Sequence, residues 1–409
     1  MRKGFSRPPF IAALDIGTTK ICCALAQPLE NSSELQIFGL GHQISQGVNH
    51  GKIVNVREAS SAISKAIHAA EHMARQSIQE VFVNLSGPVT SLRPIVIKEL
   101  GGRAVEEEDI QNLLLQAQQL ATKNDKEETL HCLPICYSVD DNKNVLDPLD
   151  MYAETLGVKV HVTTTSKSRV RNLISTLDRA QVDAQHILYT PYASGLGTLV
   201  EDEMDLGVGV IDFGGGTTSI GIFKCGNCLF SASVPLGGVN ITNDIAHALS
   251  TPIVQAERLK ILYGSALFSP LNKKERLKIP QISISQKEVE KSITRFELNS
   301  IIQPRLDEIF DLLLEKLNHY PAVKSAARRF VLTGGGSQMT DIKKYAAKKL
   351  GQQVRLGLPI DIQGLTEASG GASFSVCAGL LHYGSRAVMD GLVPKPSSSW
   401  LGRLFNWSR

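Results

Sequence analysis

Long apolar runs and dense basic clusters are both missing from this chain. The best window of about 18 residues, 206–223, contains Asp212 and several glycines, so no membrane-spanning helix is predicted. The 43 Lys and Arg side chains nearly balance 40 Asp and Glu, which leaves a formal net charge of +3. The densest basic group, a lysine cluster at 343–349, is typical of one solvated helix face. Nucleic-acid binding, which needs clustered positive charge, is therefore not predicted.

The cysteine pattern favours neither a disulfide framework nor a metal site. The seven cysteines are odd in number and scattered, which predicts free thiols in a reducing compartment. Cys225 and Cys228 have redox or zinc spacing, but no second pair accompanies them, and the intervening Gly-Asn favours a hairpin turn. The N-terminus is basic, but the apolar run after it, 10–14, is too short for an export signal. We therefore expect a protein of the cytosol.

Strand-like apolar runs alternate with helical periodicity along most of the chain, which predicts an α/β architecture. Segment 86–165 has its own acidic helix start and leucine stripe, and we predict that it is an inserted subdomain. A second, largely helical block covers 244–320. Within it, a capping box formed by Ser285 and Glu288 predicts the start of a long helix, and Pro304 predicts a kink or break.

One motif occurs twice, once in each half of the chain. In each copy an apolar strand ends at an aspartate and continues into a glycine turn and threonines: Asp15-Ile16-Gly17-Thr18-Thr19-Lys20 and Asp212-Phe213-Gly214-Gly215-Gly216-Thr217-Thr218. The turns would expose backbone N–H groups and hydroxyls, which are the donors that polyphosphate oxygens need. Asp15 and Asp212 would hold Mg²⁺.

A third glycine cluster follows another apolar strand late in the chain. It contains Gly334, Gly335, Gly336, Ser337 and Met339, and the missing side chains would let a flat base and a ribose approach the backbone. Each motif alone is weak, because such glycine turns are common in ordinary hairpins. The three together predict a cleft between two lobes that binds a nucleotide.

The last eleven residues, 399–409, predict an amphipathic helix that begins at Ser399. At about 100° per residue, one arc is apolar and the other carries Arg403 and Arg409. The apolar arc contains both tryptophans of the protein: Trp400, Leu401, Leu404, Phe405 and Trp407. This composition favours an interfacial membrane helix that prefers anionic lipids, with a terminal helix docked on the protein's own core as the alternative. So short a helix would need polymerisation to supply avidity.

The motifs resemble, in order, the phosphate-1, connect-1, phosphate-2, adenosine and connect-2 motifs of the actin, Hsp70 and sugar-kinase superfamily. Residues 187–198 resemble the connect-1 motif, and residues 375–384 resemble the connect-2 motif. Within that superfamily the chain resembles the bacterial FtsA cell-division family, through details such as Asn-Leu-Ser-Gly at 84–87, His-Cys-Leu-Pro at 131–134 and Val-Pro-Leu-Gly-Gly at 234–238. The insertion after Gly87 resembles the 1C subdomain of that family.

This resemblance implies an actin-like, two-lobed ATPase fold with a 1C-type inserted subdomain and a C-terminal amphipathic helix. The implied boundaries are 10–85 and 166–205 for subdomain 1A, 86–165 for 1C, 206–243 and 321–386 for 2A, 244–320 for 2B, 387–398 for a linker and 399–409 for the membrane helix.

The implied function is that of an ATP-binding, Mg²⁺-dependent protein that polymerises on the inner face of the cytoplasmic membrane at the division septum. It would be a peripheral membrane protein that binds the C-terminal tail of FtsZ and recruits later division proteins through 1C. ATP hydrolysis would be slow at most, because Ser219 stands where many relatives place an aspartate. A sugar-type kinase and an actin-like ATPase of pilus assembly are the alternatives.

The resemblance also carries site residues over. The phosphates and Mg²⁺ would meet Asp15, Gly17, Thr18, Thr19, Lys20, Asp212, Gly214, Gly215, Gly216, Thr217 and Thr218. The adenosine would meet Gly334, Gly335, Gly336, Ser337 and Met339, together with Glu257 and Lys260 of a helix. The FtsZ tail would meet Arg295, Asn299 and Arg305, and the membrane would meet Trp400, Leu401, Arg403, Leu404, Phe405 and Trp407.

Overall fold

Two sheets that share the same arrangement of five strands form the body of the protein, and the first has one further parallel strand at its edge. The computed structural model describes residues 9–29, 32–122, 125–268, 275–280, 290–365 and 371–389. In each sheet an antiparallel meander of strands continues on one side into parallel strands. The repeated aspartate motif lies at the turn between the first two strands of each meander.

The first sheet is built mostly from the N-terminal part of the chain and has the strand order β12-β6-β1-β2-β3-β20. Strands β1 and β2 are buried almost throughout, as expected for central strands between helical layers. Asn55 caps α1 by accepting hydrogen bonds from two backbone N–H groups of its first turn. The first elements are β1 (Ile11–Ile16), β2 (Lys20–Pro28), β3 (Leu35–Ile44), β4 (Val48–Asn49), β5 (Lys52–Ile53), α1 (Val56–Ala74) and β6 (Glu80–Leu85).

An inserted unit with its own sheet and core leaves the first sheet after β6 and returns at α3. Its strands follow the order β10-β9-β11-β7, with β8 also paired to β11. One face of this sheet packs on α2 through a separate cluster of buried side chains. The elements are β7 (Thr90–Leu92), β8 (Ile95–Ala104), α2 (Glu107–Ala121), β9 (Glu127–Val139), β10 (Asn142–Val145) and β11 (Tyr152–Ser166).

The chain then completes the first sheet and enters the second through a buried helix, α4, which the uncharged sequence around 191–200 predicts. Helix α4 crosses α11 so closely that a Cβ on Gly379 would lie 1.7 Å from the Ala193 carbonyl oxygen. The connecting elements are α3 (Lys167–Arg179), β12 (Asp183–Tyr189), α4 (Thr190–Thr198) and α5 (Glu201–Leu206).

The second sheet has the order β15-β14-β13-β18-β19 and carries the helical block on one face. Cys225 and Gly226 both have positive φ and close the β14–β15 turn, one residue earlier than predicted. The remaining elements are β13 (Val208–Phe213), β14 (Thr218–Lys224), β15 (Asn227–Val234), α6 (Gly238–Leu249), α7 (Ile253–Tyr263), β16 (Arg276–Pro280), β17 (Glu290–Thr294), α8 (Arg295–Asn318), α9 (Pro321–Ala326), β18 (Arg329–Thr333), α10 (Ile342–Leu350), β19 (Gln353–Leu356), β20 (Ile362–Gln363) and α11 (Ser375–Met389).

The long helix of this block begins later than its sequence predicts. The capping box at 285–288 lies outside the described residues, and β17 precedes the helix. Helix α8 begins at Arg295, where Thr294 and Glu297 form the capping box that is used. Pro304 does not break the helix, which we attribute to the exposure of Ser300, whose carbonyl can turn to water when Pro304 offers no N–H. Among the described residues, no helix is long and apolar enough to cross a bilayer.

Candidate nucleotide site

The two repeated hairpins face each other across a narrow cleft. Each turn is closed by the same bond, from the Gly17 N–H to the Lys20 carbonyl (2.9 Å) and from the Gly214 N–H to the Thr217 carbonyl (2.9 Å). Residues 17–20 and 214–217 line the cleft, whereas Thr218 is buried and donates its hydroxyl to the Leu236 carbonyl (2.8 Å). The structure therefore brings together the two motifs that the sequence places in separate halves of the chain.

The hairpins approach so closely that side chains on the second turn would collide with the first. A Cβ on Gly215 would lie 2.4 Å from Cγ2 of Thr19, and a Cβ on Gly216 would lie 2.5 Å from Oγ1 of Thr18. The cavity between them measures about 90 Å³. The glycines keep backbone N–H groups, rather than side chains, at the surface of the cleft.

Asp15 and Asp212 are the acidic residues that line this cleft in the described part of the chain. Only 5% and 7% of their surfaces are exposed. Burial raises the pKa of Asp15, and burial together with the charge of Asp15 raises the pKa of Asp212 to about 7. Two desolvated carboxylates that repel each other fit the donor set of a divalent cation, because a hard cation prefers oxygen ligands and offsets both charges.

Three polar residues complete the acidic end of the cleft, and the sequence analysis did not assign them to it. The Asn84 amide donates to Asp15 Oδ1 (2.9 Å) and accepts from the Ile16 N–H (2.7 Å). Ser86 and Thr190 share a hydroxyl hydrogen bond of 2.8 Å beside it. These residues lie at or just beyond the carboxyl ends of parallel strands β6 and β12, where ligands of α/β proteins commonly bind. A polar residue at such a strand end was the signal available in the sequence.

Lys20 supplies a positive charge at the same place. Its Nζ is buried, has no hydrogen-bond partner among the described residues and lies 3.6 Å from the ring centroid of Phe374. The Lys20 charge also opposes the rise in pKa at both aspartates. A cation without a hydrogen-bond acceptor beside glycine N–H groups fits a phosphate oxygen.

The glycine loop after β18 closes the second side of the cleft. Gly334 has a φ of 82°, and a Cβ there would lie 2.2 Å from Asp212 Oδ1, so this position requires glycine. Gly334 and Gly335 line the cleft itself. Gly336 packs on the Phe213 ring, Ser337 is buried, and Met339 packs against the core. These last three residues lie beyond the part of the cleft formed by the hairpins.

Glu257 and Lys260 form an ion pair of 2.8 Å on α7. The Lys260 ammonium also donates to the Gly238 carbonyl (3.0 Å) and to the Thr242 hydroxyl (2.9 Å). Gly238 in turn donates its N–H to the Gly214 carbonyl (3.0 Å), which joins this pair to the second hairpin. The pair therefore lies one residue layer behind the cleft.

The residues predicted to meet FtsZ lie on α8, but not in equivalent environments. Asn299 is buried and accepts a hydrogen bond from the Ser265 N–H (3.0 Å). Arg295 and Arg305 are partly exposed and pair with Glu275 (3.2 Å) and Asp244 (2.7 Å). The predicted membrane residues Trp400, Leu401, Arg403, Leu404, Phe405 and Trp407 lie outside the described residues.

Ser219 lies opposite Asp212 in the register of the second hairpin and is buried. Its hydroxyl adds no charge beside the two cleft aspartates. Ser219 thus lies within the hairpin core, next to the acidic end of the cleft.

Solved structures with a similar fold include nucleotide-bound and partner-bound proteins. A PilM–PilN type IV pilus biogenesis complex matches with a TM-score of 0.67 and 17% identity, covering 92% of this chain and 98% of that one. MreB5 of Spiroplasma citri bound to ADP matches with a TM-score of 0.57 and 14% identity, covering 94% and 98%. At these identities the likeness concerns the fold alone, which is actin-like.

Sequence comparisons identify the family. A family model described as "Cell division protein FtsA" matches 209–379, and one described as "SHS2 domain inserted in FTSA" matches 88–164. FtsA of Agrobacterium fabrum is 35% identical over 92% of this chain and 87% of its own length. FtsA of Escherichia coli K12 is 30% identical over 98% and 97%. These matches span nearly the whole chain, which therefore belongs to the FtsA family of actin-like cell-division proteins.

Proposed function

We propose that this protein binds ATP with Mg²⁺ between the two hairpins and acts as a polymerising adaptor of the division septum. The observation that carries the proposal is the pair of facing glycine hairpins, each ending a strand at a buried aspartate. The ADP and AMPPNP reported for the MreB5 structures of the same fold support a nucleotide here.

Each group of the cleft has a proposed role. The N–H groups of residues 18, 19, 215 and 216, with Lys20, bind the phosphates, while the N–H groups of Gly17 and Gly214 close the two turns. The loop 334–339 and the Glu257–Lys260 pair lie toward the adenosine. Asp15 and Asp212 hold Mg²⁺, which neutralises phosphate charge when it is bound. Asn84 orients Asp15 through its amide hydrogen bond. The buried Ser219 offers no carboxylate to a water molecule, so we expect ATP to act chiefly as a structural and switching ligand.

The remaining proposals concern partners. The FtsZ tail contacts Arg295 and Arg305 of subdomain 2B, and the buried Asn299 holds the adjoining loop through Ser265. Subdomain 1C, over 86–165, presents the surface for later division proteins, and the helix over 399–409 binds the inner face of the cytoplasmic membrane. For the subdomains, we propose the same boundaries that the sequence analysis predicts.

Co-sedimentation with anionic liposomes tests the proposal, with the full chain compared to a version that ends at Ser398. We expect ATP–Mg²⁺ to increase binding of the full chain several-fold, because polymerisation multiplies a weak membrane helix into an avid contact. Removal of 399–409 should abolish binding. A matched control replaces Arg295 with Gln, which should leave liposome binding intact and weaken only the capture of an FtsZ-tail peptide.

Two results would contradict separate parts of this function. Liposome binding by the version ending at Ser398 would exclude the tail as the membrane anchor. Liposome binding that is identical with and without ATP, although nucleotide binding is measured directly, would exclude nucleotide control of polymerisation.

A further inference from the structure

A second cavity lies directly behind the nucleotide cleft. Its volume is about 320 Å³, and it shares Asn84 and Ser86 with the wall of the cleft. The turn between β4 and β5 covers one side, and the first turns of α3 form the other. Because α3 begins where the inserted unit returns to the first sheet, this cavity lies at the root of the insertion.

The lining of this cavity is positive and rich in hydrogen-bond donors. Arg169 and Lys52 contribute two cationic side chains, and the described lining contains no carboxylate. Hydroxyl and amide groups come from Ser166, Ser168 and Asn172, in addition to the shared residues. The arrangement differs from the cleft, where Asp15 and Asp212 provide negative charge.

Arg169 is the central cation, and its bonded acceptors are neutral. Its guanidinium donates to the Ser86 and Pro88 carbonyls, to the Gly51 carbonyl (3.4 Å) and to the Thr165 hydroxyl (2.7 Å). Its Nε is buried without a hydrogen-bond partner among the described residues. Arg169 is partly buried as a whole, and a cation that is bonded only to neutral oxygens retains an uncompensated charge.

Other arginines of this protein show the contrast. Hydrogen bonding to Asp109 raises the pKa of Arg103, and hydrogen bonding to Asp244 raises the pKa of Arg305. Burial lowers the pKa of Arg169, because no carboxylate offsets the loss of water. An anion in the cavity would supply the missing charge.

We propose that this cavity binds a small phosphate-class anion, beside the nucleotide cleft rather than within it. The Ser166 and Ser168 hydroxyls at the start of α3 contact the anion, and the exposed Lys52 lies beside it. Arg169 contributes positive charge rather than a hydrogen bond, because its terminal N–H groups are already donated to protein oxygens. The shared wall of Asn84 and Ser86 links occupancy of this cavity to the cleft. The proposal goes beyond the nucleotide function and does not depend on it.

The test titrates inorganic phosphate into the full chain and follows ³¹P line width, with and without saturating ADP–Mg²⁺. Ser168→Asp is the main variant, because a carboxylate in the first turn of a helix stabilises the helix while it cancels positive charge in the cavity. We expect Ser168→Asp to weaken phosphate binding at least tenfold and Lys52→Gln a few-fold. Lys65→Gln, the same charge change on the exposed face of α1, should have no effect.

The outcomes separate the two sites. Phosphate that still binds with ADP–Mg²⁺ present and is lost in Ser168→Asp supports the cavity. Phosphate that is displaced by the nucleotide and unaffected by Ser168→Asp occupies the cleft, which overturns the proposal, as does the absence of saturable binding. A parallel titration with glycerol phosphate shows whether the cavity accepts free phosphate alone or also a phosphate ester. Either result supports a phosphate-class anion, provided that Ser168→Asp weakens the binding that is observed.

Discussion

Asp15 and Asp212 show how one residue type can be costly for folding and useful for function. Each is buried, and together they raise each other's electrostatic free energy in the absence of a cation. Their hydrogen-bonded support is limited to the Asn84 amide on Asp15 in the described part of the chain. Such unfavourable burial is expected where a ligand supplies the compensating charge.

Asp212→Asn should therefore stabilise the protein without nucleotide and weaken nucleotide binding. The folded-state pKa of Asp212, about 7, exceeds the usual 3.8, so the folded state holds the proton more tightly and unfolding free energy falls as pH rises from 4 to 7. One pKa unit corresponds to about 1.4 kcal/mol, and we expect a gain on the order of 4 kcal/mol at pH 8 and less than about 1 kcal/mol at pH 4. Thermal unfolding without Mg²⁺ and calorimetric titration with ATP–Mg²⁺ measure the two effects.

Asp205→Asn provides the control for this prediction, because it removes the same charge from an exposed site near the start of β13. This substitution should change neither the free energy of unfolding nor the affinity for ATP–Mg²⁺ appreciably. Equal destabilisation by Asp212→Asn at both pH values would show that the Asp212 carboxylate has a favourable structural partner instead.

At the scale of elements, the close approach of the two hairpins depends on glycine in the second turn. Gly215 faces Thr19, and Gly216 faces Thr18, at distances that leave no room for a Cβ. One backbone hydrogen bond closes each hairpin, so the shape of each turn depends on its own residues. The contact between the two hairpins, in contrast, forms part of the cleft.

Gly215→Ala should hold the two hairpins apart and weaken ATP–Mg²⁺ binding by tenfold or more. The free energy of unfolding should fall by less than about 1 kcal/mol, because the new methyl group collides across the cleft and not within the core. Nucleotide affinity by fluorescence titration checks this. Addition of Thr19→Ser removes the Cγ2 atom that the methyl group meets, and it should restore part of the affinity. Unchanged affinity in Gly215→Ala would mean that the cleft opens wider than this structure when it binds.

At the scale of the whole molecule, the inserted unit contacts both lobes. It is joined by chain to the first sheet, yet Thr163 Oγ1 lies 3.2 Å from Ser231 Oγ of β15 in the second. The Arg93 guanidinium lies 4.4 Å from the ring centroid of Tyr320, and the Asn227 amide donates to the Ile135 carbonyl (3.3 Å). A relative movement of the lobes must therefore carry or break this interface.

Arg93→Ala should loosen the insertion from the second lobe at a cost of about 0.5–2 kcal/mol, the range of a partly desolvated cation–π contact. Hydrogen exchange should rise in β7, β9 and β15 while it stays unchanged in β1 and β13. Lys159→Ala, on the exposed side of β11, is the matched control. Exchange that rises uniformly across both lobes would indicate general destabilisation instead of a local interface.

The sequence by itself determined the repeated hairpins, the buried helix α4, the inserted unit and the family. Each of these depends on contiguous residues or on a local sequence pattern. It placed the start of α8 wrongly, since two capping boxes compete and the strand pairing of β17 selects Thr294 over the earlier one. Only the tertiary structure decided that Asn84 supports Asp15, that Asn299 is buried and that Arg169 has neutral partners. Those facts depend on which distant segments pack together, and residue spacing along the chain does not encode that packing.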